Sequence, residues 1–199
     1  GRSDIGRGER VMVEFVSANP TGPMTIGNAR GGVLGDTLAS VLEMAGYDVS
    51  REFYVNDAGN QVQLFGQSIE ARYLQLCLGE DAAEFPDNGY HGDDIKNLAR
   101  MIHERDGDKY VSMESDERIR DFISFGLKHN IALMKEHLER YRINFNRWFL
   151  ESELHDSGYV AETVKLLTDN GFTYEKDGAV WLKNTDFGAD KDEVLVRAN

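Results

Sequence analysis

Apolar side chains follow two rhythms along this chain, and each change of rhythm marks an element. Val11, Met12, Val13, Phe15 and Val16 form a nearly continuous apolar run, the pattern of a parallel strand covered on both faces. After a loop holding Pro20, Gly22 and Pro23 the side chains become small. Leu34, Leu38, Val41, Leu42 and Ala45 then recur at helical spacing up to Gly46, which predicts a helix with an apolar face and a C-terminal glycine. From Asp48 to Val55 the alternation places Val49, Phe53 and Val55 on one side and predicts a second strand. A helix follows from about Ala58 to Leu78, with Val62, Leu64, Phe65, Ile69, Tyr73 and Leu76 as its apolar set. A shorter helix spans Asp94 to Arg105. The longest runs from Asp116 to about Tyr141 behind an N-cap at Ser115, and its stripe of Ile119, Phe122, Ile123, Leu127, Ile131, Met134, Leu138 and Tyr141 reads as core. Phe145 to Leu150 fits a strand and Val160 to Asn170 a helix ended by Gly171. Phe172–Tyr174 and Val180–Leu182 flank Glu175-Lys176-Asp177-Gly178 as a hairpin.

Strand, helix and strand in succession make half of a Rossmann-like α/β unit, a parallel sheet flanked by helices. The expected division is residues 1–141 as this nucleotide-binding unit with helical segments and 142–199 as an inserted α/β region, the boundary falling near 142–155. With 35 acidic and 22 basic residues the net charge is -13, which argues against a free-standing nucleic-acid-gripping surface and suits a cationic substrate. A single cysteine, Cys77, excludes an internal disulfide framework. No run approaches the ~20 apolar residues of a membrane span, and there is no signal-peptide layout at the start. A cytoplasmic protein without membrane association is expected.

The candidate chemistry sits in the first strand-to-helix loop. A helix opening there presents unpaired backbone N–H groups and the positive end of its dipole to whatever binds, most simply a phosphate. Open α/β sheets collect ligands at the carboxyl ends of their strands, where this loop falls. Glu14 interrupts the apolar run. A carboxylate in that place either pairs with a buried lysine or arginine or faces a site, because leaving it buried alone costs several kcal/mol, order of magnitude.

The residues of this loop, Glu14-Phe15-Val16-Ser17-Ala18-Asn19-Pro20-Thr21-Gly22-Pro23 and then Gly27-Asn28-Ala29-Arg30-Gly31, strongly resemble the nucleotide-binding segment of bacterial arginyl-tRNA synthetases, a class I family. Arg51-Glu52-Phe53-Tyr54-Val55-Asn56-Asp57-Ala58-Gly59-Asn60-Gln61 resembles the second strand and turn of that family. So do Tyr90-His91-Gly92-Asp93, Phe145-Asn146-Arg147-Trp148-Phe149 and Thr185-Asp186-Phe187-Gly188-Ala189-Asp190-Lys191-Asp192 with Val194-Leu195-Val196-Arg197, all in the family's order. The resemblance implies an incomplete Rossmann-like class I catalytic domain with an inserted α/β region. It implies adenylation of arginine by ATP, accompanied by Mg²⁺, and transfer of the arginyl group to tRNA(Arg) by a full-length monomer. Carried over, Pro23, Thr25, Gly27 and Asn28 serve ATP, with Thr25 and Asn28 in the catalytic motif, while Glu14, Ser17 and Asn19 hold arginine. The family's remaining pocket residues, its ATP-clamping lysine loop and its tRNA-binding domains have no counterpart here, so the isolated chain is expected to be inactive or nearly so in aminoacylation.

One position departs from the family. Its motif reads His-x-Gly-His or His-x-Gly-Asn, whereas this chain has Thr25-Ile26-Gly27-Asn28. A threonine hydroxyl can donate a hydrogen bond but cannot carry charge, and losing one transition-state donor costs a few kcal/mol, roughly a hundredfold or more in rate. A degenerate, non-catalytic binding module is therefore the alternative reading. Asn56 to Asn60 reads equally as a turn capped by its own side chains. The histidines His91, His103, His129, His137 and His155 show no ligand spacing with a cysteine, and no metal site is expected.

Overall fold

The computed structural model describes residues 1–198. The chain divides into two compact units, Gly1–Glu151 and Ser152–Asn199.

The first unit begins with β1 (Arg10–Glu14), α1 (Ile26–Met44) and β2 (Asp48–Val55). It continues through α2 (Asn60–Leu78), α3 (Asp93–Asp106), α4 (Ser115–Arg140) and β3 (Arg147–Leu150). The three strands form a parallel sheet in the order β1-β2-β3. Arg147–Leu150 pairs with Glu52–Val55, and the first unit runs on to Glu151, inside the 142–155 range expected for the boundary.

Two apolar clusters hold the unit together. Phe65, Ile69 and Tyr73 of α2 meet Ile95, Leu98 and Ile102 of α3 and Phe122 of α4 in the first. In the second, Phe15, Phe53 and Val55 pack against Met134, Leu138 and Ile143, and Trp148 stacks on Phe53 with ring centroids 4.1 Å apart. The stripe expected on α4 therefore bridges both cores, except that Tyr141 lies past the helix end and is exposed. Arg118 on α4 is buried and ties the helical layer. It meets Glu70 at 2.7 Å and donates to the Tyr110 and Met113 carbonyls at 2.8 and 2.9 Å.

Three expectations need correction. β1 alternates between exposed and half-buried positions, with Met12 58% exposed, because nothing among the described residues covers one of its faces; it is an edge strand there, paired with β2 alone. The leucine and valine face of α1 points outward, Leu34, Leu38 and Val41 all being exposed, while Gly32, Gly35 and Ala39 are the buried positions. Small residues are what face the sheet because the helix lies so close to it: a Cβ on Gly35 would come within 2.2 Å of Phe15 Cγ. Ser115 does not cap α4. Glu114 occupies the cap position, and the Ser115 hydroxyl donates to Glu70 at 2.7 Å.

The second unit takes up after Glu151, within the short helix α5 (Glu151–Asp156). It contains α6 (Tyr159–Asp169) and an antiparallel sheet β4-β5-β6 (Thr173–Lys176, Ala179–Leu182, Glu193–Val196). The expected hairpin turns at Asp177-Gly178, both at positive φ, as a two-residue turn between twisted strands requires. No helix of the described residues is long and apolar enough to cross a membrane.

Candidate functional site

The carboxyl ends of the three parallel strands assemble the polar groups of the first unit. β1 ends at Glu14 and the chain turns at once. Val16 and Ser17 both have positive φ, 67° and 41°, and Ser17 N donates to Phe15 O at 3.0 Å. A β-branched residue in that region costs about 1–3 kcal/mol. The turn aims the Ser17 hydroxyl back at the strand ends, where it donates to Glu14 Oε1 and accepts from Tyr54 N at 3.1 Å. Glu14 is exposed and has no cationic partner among the described residues, so burial does not oblige it to pair.

The loop is anchored as it leaves the strand. Pro20 and Thr21 are buried, and the buried Asn130 of α4 donates its amide to Pro20 O at 2.7 Å. Asn19 stays exposed and donates to Gln61 Oε1 on α2 at 2.9 Å. Glu14, Ser17 and Asn19 are thus held along one loop, each oriented by a hydrogen bond.

Strand β2 adds groups that were not singled out as site residues. Burial pushes the Tyr54 phenol above its ordinary value, and the carboxylates of Glu151, Asp57 and Glu14 reinforce the shift. The Asn56 amide, oriented to suit its acceptors, donates to Glu151 Oε2 at 2.8 Å and Ala58 O at 3.1 Å. Three carboxylates therefore share the neighbourhood of one phenol at the strand ends. Only long-range pairing reveals this, because Glu151 follows β3 by one residue and reaches the site through the β2-β3 register.

The motif residues lie at the start of α1. Thr25 is its N-cap, and Thr25 with Asn28 forms a capping box. Asn28 N donates to Thr25 Oγ1 at 3.4 Å, and Asn28 Oδ1 accepts from Thr25 N at 2.8 Å and from its hydroxyl at 2.9 Å. Pro23, Thr25 and Gly27 are exposed. Beside them opens a groove of about 490 Å³ lined by Met24, Thr25, Ala29, His137 and Arg140. It runs along the helix start, where backbone donors and the positive dipole end favour an anion. Carboxylates at the strand ends and donors at the helix start give the loop two complementary sides, one suited to a cation and one to a phosphate.

The chain matches, over residues 2–199, the family of class I tRNA synthetase catalytic domains for arginine. It is 59% identical over its whole length to an arginine–tRNA ligase of Ruminiclostridium cellulolyticum and 56% identical to that of Acetivibrio thermocellus. The chain spans 35% of the length of each of these curated relatives. Among solved structures, one from Campylobacter jejuni provisionally assigned as an arginyl-tRNA synthetase superimposes with a TM-score of 0.82 at 33% identity, covering 98% of this chain and 42% of that one. The Thermus thermophilus arginyl-tRNA synthetase shares the fold, with a TM-score of 0.66 at 20% identity over 100% of this chain and 34% of that one.

Proposed function

We propose a part in arginine activation for this chain, which belongs to the family of class I arginyl-tRNA synthetase catalytic domains. The reaction is the ATP-dependent formation of arginyl-adenylate, followed by transfer of the arginyl group to tRNA(Arg). The observation that carries the proposal is Glu14, an exposed carboxylate without a cationic partner among the described residues, oriented by the Ser17 hydroxyl in a neighbourhood of further carboxylates. A guanidinium is the cation whose planar fork a fixed carboxylate can bind through paired hydrogen bonds. Asn19, steadied by Gln61, is suited to the polar α-amino end of the amino acid.

The adenylation step is an in-line attack by the arginine carboxylate on the α-phosphorus of ATP, with pyrophosphate leaving. It depends on positioning and charge neutralisation and needs no protein nucleophile. Here the start of α1 supplies backbone donors, Thr25 a hydroxyl and Gly27 space, with Pro23 and Asn28 shaping the turn around the nucleotide. Mg²⁺ is expected to arrive on the ATP phosphates, held by phosphate oxygens and water together with at most one or two carboxylates.

Calorimetric titration of the chain with arginine, and separately with ATP, tests the proposal. Arginine should bind and citrulline, its uncharged near-isostere, should not. Glu14→Gln should weaken arginine by roughly tenfold to a hundredfold, the worth of a charged hydrogen bond of about 1.5–3 kcal/mol. Equal affinity for arginine and citrulline would refute the guanidinium assignment. A second reading, a degenerate synthetase-like binding module, is favoured by the mutual hydrogen bonding of Thr25 and Asn28. It predicts that a non-hydrolysable adenylate analogue does not bind.

A further inference from the structure

Away from the strand ends, three donors of different chemistry converge where α2 and α3 finish. Cys77 Sγ, a ring nitrogen of His103 and a carboxylate oxygen of Asp108 all lie within 4.8 Å of one another. His103 Nε2 and Asp108 Oδ1 are 3.2 Å apart. Cys77 stands in the last turn of α2, His103 in the last turn of α3, and Asp108 in the turn that follows α3. No local spacing joins the cysteine to the histidine, which is why the sequence carried no metal signature.

The framework around these donors is fixed. Tyr73, fully buried one helical turn before Cys77, donates its hydroxyl to Gly107 O at 2.6 Å and accepts from Tyr110 N at 3.4 Å. The backbone on both sides of Asp108 is thereby tied to α2. Gly107, at φ +60°, lets α3 end and the chain double back toward Cys77. The His103 ring packs edge-on to Tyr73 with centroids 6.3 Å apart, which limits its rotation.

We propose that Cys77, His103 and Asp108 bind one divalent transition-metal ion of the zinc type, with water completing a tetrahedral shell. The donor set decides the class of ion. Thiolate and imidazole suit zinc and cobalt, whereas magnesium and calcium take oxygen ligands. Tetrahedral bonds of about 2.3 Å to sulfur and 2.0 Å to nitrogen and oxygen place the ligand atoms about 3.3–3.5 Å apart. The triad therefore closes by at most about an ångström on binding, His103 and Asp108 already standing 3.2 Å apart. A cysteine thiol is largely protonated at neutral pH, so the proton leaves as the metal binds. On binding, the S–H bond breaks, the sulfur lone pair goes to the metal and the proton to solvent, so that Cys–SH plus M²⁺ gives Cys–S–M⁺ plus H⁺.

The test is a titration of the chelator-treated chain with Co²⁺. The expected result is one ion per chain, a thiolate-to-cobalt band in the near ultraviolet, tetrahedral bands in the visible, release of a proton, and displacement by Zn²⁺. Cys77→Ser should abolish the near-ultraviolet band. Asp108→Asn, at an exposed position that does not threaten folding, should keep the band but weaken binding by at least the ~10–100-fold that loss of even an outer-shell partner costs. Absence of the band at millimolar Co²⁺ overturns the proposal, as does its persistence in Cys77→Ser. Unchanged affinity in Asp108→Asn removes the third ligand and with it the site as described. None of these measurements involves arginine or ATP, so the result is independent of the proposed activity.

Discussion

At Gly35 the first helix touches the first strand so closely that a single methyl group has no room. A Cβ there would lie 2.2 Å from Phe15 Cγ and 2.5 Å from both Phe15 Cβ and Cδ2. These atoms form the root of the ring, so no change of rotamer moves them all aside. Relief requires a shift of the Phe15 backbone, which is held by Phe15 N donating to Glu52 O at 3.2 Å and Ser17 N donating to Phe15 O at 3.0 Å. Overpacking of this kind costs about 1–3 kcal/mol. The higher helix propensity of alanine returns up to about 1 kcal/mol. With contacts this short the cost lies at the upper end of that range, so Gly35→Ala should destabilise the first unit by about 2 kcal/mol, a fall in Tm of about 4–8 °C for a unit of this size. Gly31, on the same helix, provides the control, since a Cβ there meets nothing within 4 Å. Gly31→Ala should stabilise by about 0.4–1 kcal/mol through the unfolded state. Urea unfolding followed by Trp148, stacked on Phe53 in the sheet, measures both once Trp181 of the second unit is replaced by Phe. If Gly35→Ala were as stable as the parent, or both substitutions moved stability in the same direction, the close approach of α1 to β1 would be wrong.

Other substitutions address the helical layer, the second unit and the nucleotide side of the loop. Arg118→Ala leaves Glu70 and the Tyr110 and Met113 carbonyls without their buried donor and should cost about 3–5 kcal/mol in urea unfolding, with a smaller further loss when Glu70→Ala is added. In the second unit, the Thr185 backbone N–H at 3.0 Å and hydroxyl at 2.9 Å hold the Asp192 carboxyl below its ordinary 3.8. Its contribution to stability is therefore present above that ordinary value and lost as pH falls through the lowered one; an NMR acid titration of the Thr185 amide should show the transition, and Asp192→Asn should abolish it. Gly27 is not required by packing, its nearest Cβ neighbour being Thr25 Oγ1 at 3.4 Å. Gly27→Ala should leave the fold intact or gain a few tenths of a kcal/mol, roughly, by propensity, while weakening ATP in calorimetry.

Much of the first unit was legible because its periodicities are long. The stripes of α2 and α4 and the alternation of β2 each recur often enough to fix an element and most of its buried face, Leu76 of α2 and Tyr141 after α4 being the exposed exceptions. The covering of β1 was not legible, because a run of apolar residues looks the same on a central strand as on an edge strand. The face of α1 was inverted for a related reason. Hydrophobicity picks out Leu34, Leu38 and Val41, yet a helix pressed against a sheet at van der Waals limits uses Gly32, Gly35 and Ala39 there. Elements as short as α5 and β6 carry too few residues for a period to show. In the candidate site, Glu14, Ser17 and Asn19 lie on one loop and could be named together. Gln61 and Glu151 join them only through α2 and the β2-β3 register, contacts that no local pattern encodes.

The start of α1 brings the two readings of the signature into direct competition. As a helix cap, Thr25 and Asn28 satisfy each other: the Thr25 hydroxyl and N–H both donate to Asn28 Oδ1, and Asn28 N donates to Thr25 Oγ1. Ala29 N already donates to Thr25 O at 3.1 Å as the helical ladder begins. Of the first-turn donors, the N–H groups of Ile26 and Gly27 are left with no partner among the described residues, and both residues are exposed. Such a pair of adjacent N–H groups at a positive dipole end is what an anion needs. Thr25 therefore does not have to replace a charged side chain for phosphate to bind, because the backbone can provide much of the attraction. What a hydroxyl engaged in a cap cannot provide is a charged donor that strengthens as negative charge develops in the transition state. The capping geometry thus separates binding from rate: it is compatible with ATP held at the helix start and with slow adenylation, and the combination that would contradict it is fast adenylation with Thr25 still locked to Asn28.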